Sequence, residues 1–161
     1  PTITFKDEMK LNFNNNNISL HNFGPAHTTG DTIVFFKEEN IIHFGDVLNI
    51  DSMVFIDSGN GGSLSGMIKN LEQALKIINK ETVVVPGHGQ ITNYETVKRY
   101  LEGLIITKEK LIEMINKNMS LEEIIKNNPI KNLEEILGDT TVLINRSYLS
   151  LTKDQTIEKE L

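Results

Sequence analysis

GPAHTTGDTIVFF, residues 24–36, sets a histidine between a Gly-Pro turn and a Thr-Thr-Gly-Asp turn, and runs directly into an apolar stretch. A short run of β-branched and aromatic residues bounded by turn residues reads as a strand. His27 therefore stands on a turn at the mouth of that strand. Working outward, the same pattern recurs twice. NIIHFGDVLN, residues 40–49, is an apolar run broken by Gly45 and Asp46, and TVVVPGHG, residues 82–89, is a short buried strand broken by Pro86, Gly87 and His88. Polar residues just beyond strand ends, on turns whose glycines allow unusual backbone angles, bring positions distant in sequence to one edge of a sheet.

The flanking sequence agrees with a sheet-rich first part. TITF (2–5), KLNF (10–13), ISLHNF (18–23) and VFID (54–57) read as further strands. The Asn run in NFNNNNISL (12–20) suits a turn between two of them. From Ser65, apolar residues at Met67, Ile68, Leu71, Ala74, Leu75 and Ile78 recur at helical spacing, so the chain runs strand, helix, strand into TVVVPGHG. The loop NGGSLSG (60–66) leads into that helix with Ser63 or Ser65 as its cap, and suits lining a pocket mouth as well. Thr92 and Glu95 form a capping-box pattern for a long helix ending near Met119. Ser120 and Glu123 repeat it for a second, which Pro129 stops. A further turn over NLEEIL precedes Gly138, and a last helix follows Asp139. Tyr94, Tyr100 and Tyr148 fall in helical segments, where packing on the sheet accounts for them. The expected organisation is one unit, 1–161, with sheet and ligand-bearing loops over 1–90 and a helical region over 91–161.

Composition narrows the chemistry. The 161 residues carry 22 Asp and Glu against 16 Lys and Arg, a net charge of −6, which argues against nucleic acid or an anionic membrane surface as partner. A small molecule or another protein is the expected partner. No apolar run reaches the roughly 18 residues of a membrane span, and PTITFKDEMK does not read as a signal segment. There is no cysteine, so a metal would have to use His, Asp or Glu. Only His21, His27, His43 and His88 are present. His27, Asp46 and His88 are the candidate ligands, since imidazole and carboxylate suit zinc and a carboxylate can bridge two cations. Each also suits an ordinary role: a turn histidine, a strand-terminating Asp and a loop residue. Thr28 and Asp31 suit a hydrogen bond orienting the His27 ring, and equally suit closing its turn. His21 and His43 read as sheet residues outside the site.

Taken in order, GPAHTTGDTIVFF, NIIHFGDVLN, GGSLSGMIKNLEQAL and TVVVPGHG resemble the carboxy-terminal half of the metallo-β-lactamase superfamily, close to its general metal-dependent hydrolases. The resemblance implies an α/β fold, an αββα sandwich present here as roughly its second half. A complete member is expected to hold two zinc ions, or other divalent metals, at one edge of the sheets. The resemblance assigns His27 to the first zinc, Asp46 to the bridging carboxylate and His88 to the second zinc. It implies hydrolysis of an ester-, thioester-, lactone- or amide-like bond in a small-molecule substrate by metal-activated water.

The family cluster His-x-His-x-Asp-His does not occur in this sequence. The chain is therefore expected to be part of a larger domain: a proteolytic product, an engineered piece, or one half of a split protein, with Pro1 fitting more than one of these. By itself it is expected to be inactive and to need an amino-terminal half, a partner chain or another copy of itself. The alternative is a degenerate, non-catalytic half-domain working through a protein partner. An uncovered half-sandwich exposes apolar surface, so both readings predict association.

Overall fold

A computed structural model of the chain describes residues 2–160; Pro1 lies outside them. The Asn run makes the first turn. Asn14 and Asn15 take φ of 50° and 64° between strands β1 (Glu8–Phe13) and β2 (Asn16–His21). Positive φ at both central residues of a two-residue loop matches the twist of a hairpin, and Asn tolerates it better than most residues. Strands β3 (Ile33–Phe36) and β4 (Ile41–His43) continue in antiparallel order, β5 (Val83–Val85) joins β4 in parallel, and β6 (Thr92–Asn93) pairs antiparallel with β5. The sheet has six strands in sequential order. A parallel step needs a crossover; here it includes helix α1 (Leu64–Ile77), capped by Ser63, whose hydroxyl accepts the Gly66 N–H at 2.9 Å.

The two faces of the sheet differ. Ile33, Ile42 and Val84 share one face and are fully buried in a core with Met67 and Leu71 of α1 and Tyr100 and Leu104 of α2 (Tyr94–Asn116). Each such side chain contributes about 1.5–3 kcal/mol by leaving water. On the opposite face Leu11, Ile18, Phe36, Ile41 and Val83 lie side by side across five strands. Among the described residues this second face is partly open: Phe13 is 67 %, Leu11 40 % and Val83 39 % exposed, while Ile18, Phe36 and Ile41 are half-buried. The β1–β2 hairpin puts Lys10, Ser19 and His21 on the helix side and its apolar residues on the open side. A sheet with that open face in water would carry the reverse pattern.

Several elements differ from the sequence expectation. TITF is not a strand, because Glu8 pairs with the last residue of β2 and the residues before it have no strand to pair with. VFID lies outside the sheet; its backbone bonds go elsewhere, Val54 N–H to the Leu137 carbonyl at the end of a helix and Asp57 N–H to that of His27. Helix α2 is capped by Asn93 rather than Thr92, since Thr92 pairs with Val84 in β6 and the Asn93 side chain accepts the Thr96 N–H at 3.0 Å. It ends at Asn116 rather than near Met119, because Asn118 turns into the left-handed region at φ 58°. The Ser120–Glu123 capping box is present on α3 (Leu121–Asn127), which ends before Pro129; α4 (Glu134–Leu137) and α5 (Thr140–Glu160) follow. Among the described residues, no helix is long and apolar enough to cross a membrane.

Candidate metal centre

The parallel step positions two of the three candidates. His43 of β4 lies opposite Val85 of β5, and Asp46 and His88 each stand three residues further on. Because the strands run the same way, equal extensions from paired positions end side by side. Such carboxyl ends of adjacent strands are where open α/β sheets bind ligands. The two extensions are stitched together by Phe44 N–H to the Val85 carbonyl at 3.0 Å, and by Gly87 N–H to the Leu48 carbonyl at 3.0 Å. Strand β3 runs antiparallel to β4, so the turn before β3 returns His27 to the same edge.

The resulting contacts run through Asp46. Its Oδ1 lies 3.2 Å from His88 Nε2 and its Oδ2 3.9 Å from His27 Nε2, so each carboxylate oxygen faces a different ring. Gly87 makes room for this carboxylate: a Cβ there would stand 2.5 Å from the Gly45 carbonyl oxygen and 2.7 Å from Asp46 Oδ1. Gly62 does the same at His27, where a Cβ would meet the backbone oxygen at 2.0 Å. The His27 ring is mostly covered, with 18 % of its side chain exposed, whereas His88 is 67 % exposed.

His27 Nδ1 lies 2.8 Å from the Phe55 carbonyl oxygen. A carbonyl only accepts, so Nδ1 carries a proton and donates to it, while Nε2 is the ring nitrogen turned toward Asp46. The bond holding this ring comes from Phe55 rather than from Thr28 or Asp31. Asp31 closes the turn instead: Oδ2 accepts the Ala26 and Thr28 N–H groups at 3.1 and 2.9 Å, and Oδ1 accepts the Thr28 hydroxyl at 3.1 Å. A short Asp in a turn satisfies the backbone donors of that turn first.

His21 and His43 stand apart. His21 bonds Ser19 at 2.8 Å and stacks on Phe23, and its burial pushes the imidazole below its ordinary pKa. His43 Nδ1 accepts the Gly45 N–H at 3.0 Å. Sequence reasoning missed Phe55, Asn49 and Asp57. Asn49 bridges to His88 across the β4 and β5 extensions and donates to the Asp46 carbonyl at 3.4 Å, with its buried Oδ1 left without a protein donor. Asp57 adds negative charge beside His27, and the Asn60 side-chain amide, at 2.7 Å, holds its carboxyl below the ordinary range. Only the glycines beside the candidates could have signalled the close backbone approaches.

Chemically, the donors suit a divalent cation such as zinc. Two ligands of one tetrahedral zinc, each about 2.0–2.1 Å from it, stand about 3.4 Å apart, and both histidine–aspartate separations bracket that value. Among the described residues no group of three or more His, Asp or Glu is arranged around one ion position. The three candidates meet as two pairs sharing Asp46.

No family model matches the chain. A probable hydroxyacylglutathione hydrolase of Encephalitozoon cuniculi (strain GB-M1) is 32 % identical over 114 residues, 70 % of this chain and 41 % of that protein. Among solved structures, a metallo-β-lactamase from Pontibacter korlensis superposes with a TM-score of 0.56 at 18 % identity, over 65 % of this chain and 48 % of that one. The DIM-1 metallo-β-lactamase superposes with a TM-score of 0.53 at 22 % identity, over 63 % and 46 %. The chain thus spans less than half the length of each. By sequence the chain is similar to a stretch of a hydroxyacylglutathione hydrolase, and over about 65 % of its length it has the fold of metallo-β-lactamases.

Proposed function

We propose that this chain supplies half of the metal site of a zinc-dependent hydrolase, with His27, Asp46 and His88 as ligands. The observation that carries this reading is the orientation of His27, whose Nδ1–H is given to Phe55 O while Nε2 is turned toward Asp46. A ring held by its other nitrogen in that way is how proteins present imidazole to a metal. When bound, zinc lowers the pKa of coordinated water to near neutrality and stabilises negative charge developing on a substrate oxygen. Asp46 holds one oxygen toward each histidine, so the chain's own part is to set the spacing of two positions. The bond attacked is ester-, thioester-, lactone- or amide-like; the hydroxyacylglutathione hydrolase name of the relative supports a thioester or ester.

The open sheet face supports the other half of the proposal. A row of apolar side chains across five strands fits an amino-terminal half-sheet, in the same polypeptide or a partner chain, which would bring the missing ligands. The same exposed face favours a second reading, a non-catalytic half-domain that binds a partner there. Metal separates the two. In the complete protein, elemental analysis is expected to find zinc, and His27→Ala, Asp46→Ala and His88→Ala should each weaken its retention against a chelator. The loss should exceed the roughly 10–100-fold typical of losing an outer hydrogen-bond partner. Zinc retention unchanged in all three variants, or no zinc at all, would overturn the hydrolase reading.

A further inference from the structure

Phe55 lies between two fully buried neighbours, Val54 and Ile56, in a segment outside the sheet. Phe55 itself is only half-buried, and the segment is held at its ends by Val54 N–H to the Leu137 carbonyl and Asp57 N–H to that of His27. What meets the Phe55 ring there comes from two distant parts of the chain. The His27 ring lies 5.8 Å away, tilted by 49°. The guanidinium carbon of Arg146, on α5, lies 4.6 Å above the ring centroid, within the range of a cation–π contact. The same Phe55 provides the carbonyl that accepts the His27 Nδ1–H.

We infer that Arg146 is a positioning residue for His27, acting through Phe55. The cation holds the ring, the ring sets the orientation of residue 55, and the residue 55 carbonyl holds the His27 imidazole through its Nδ1–H. Helix α5 is itself anchored beside this segment: the Ser150 hydroxyl accepts the N–H of Leu64 at 3.3 Å, at the start of α1. The carboxy-terminal helix thereby governs the imidazole at the sheet edge from more than a hundred residues away in sequence. The geometry stands without a metal; its consequence for zinc rests on the reading of His27 as a ligand.

The test uses the complete protein with Arg146→Met, Arg146→Lys and Phe55→Leu. In metal-free protein, nitrogen NMR of His27 is expected to show a protonated Nδ1 in the native protein and in Arg146→Lys, and a mixture of tautomers in Arg146→Met. Zinc affinity by chelator competition should fall roughly 3- to 10-fold in Arg146→Met, less than for loss of a direct partner, and recover in Arg146→Lys. Phe55→Leu should reproduce the Arg146→Met result, and combining the two should add nothing, as expected of residues acting in series. An unchanged His27 nitrogen signature in both Arg146→Met and Phe55→Leu would overturn the inference. A tautomer response without zinc binding would uphold it and sink the metal reading instead.

Discussion

Whether a histidine can hold a metal is decided largely by the nitrogen that does not touch it. At His27 that nitrogen is committed to a backbone oxygen 28 residues away, a partner invisible in the residues around it. The turn, the glycines and the ligand types were legible, because they depend on neighbours in sequence. Phe55 was not, because a carbonyl is common to every residue and only the fold selects which one arrives. Gly87 shows the reverse: its place beside His88 drew notice, and the structure supplies the reason in the closeness of Asp46. Gly87→Ala would force a methyl group against Gly45 O and Asp46 Oδ1, so the carboxylate has to move. Zinc retention is expected to drop at least about 10-fold with secondary structure unchanged by circular dichroism; full retention would mean that the carboxylate does not need its present place.

Among the elements, helices with local start signals were the most readable. Ser120 and Glu123 satisfy each other's backbone N–H groups at 3.3 and 2.8 Å, an arrangement written in four consecutive residues. Ser120→Ala removes one of these acceptors and is expected to lower unfolding free energy by about 1 kcal/mol, read from the midpoint of urea denaturation at constant slope; no shift would show that α3 is held by packing alone. The VFID segment was harder. Its composition favours a strand, yet a strand exists only where another strand lies alongside, and the chain takes residues 54–57 past His27 and Leu137 instead. The one-residue shift of the α2 cap has the same origin, since pairing with Val84 occupies Thr92.

At the scale of the whole molecule, the alternation along β1 and β2 was visible as strand character, but not which face would meet helices. That depends on α1, α2 and α5 gathering on one side. The consequence is an apolar row, Leu11, Ile18, Phe36, Ile41 and Val83, whose two ends are exposed and whose middle is half-buried. If a second half-sheet belongs there, the chain by itself should self-associate and bind an apolar dye. Ile18→Lys, at the centre of the hairpin's contribution, should reduce both, measured by light scattering and by dye fluorescence. A chain that is monomeric and dye-free at micromolar concentration would contradict that role for the face.

The equal three-residue extensions from His43 to Asp46 and from Val85 to His88 also set what sequence drift this edge can bear. Substitutions within either trio change a loop, whereas one inserted or deleted residue in just one of them changes the count and parts the carboxylate from its ring. Length variation is therefore expected to gather elsewhere, around Asn118, where exposure leaves the chain room to absorb it.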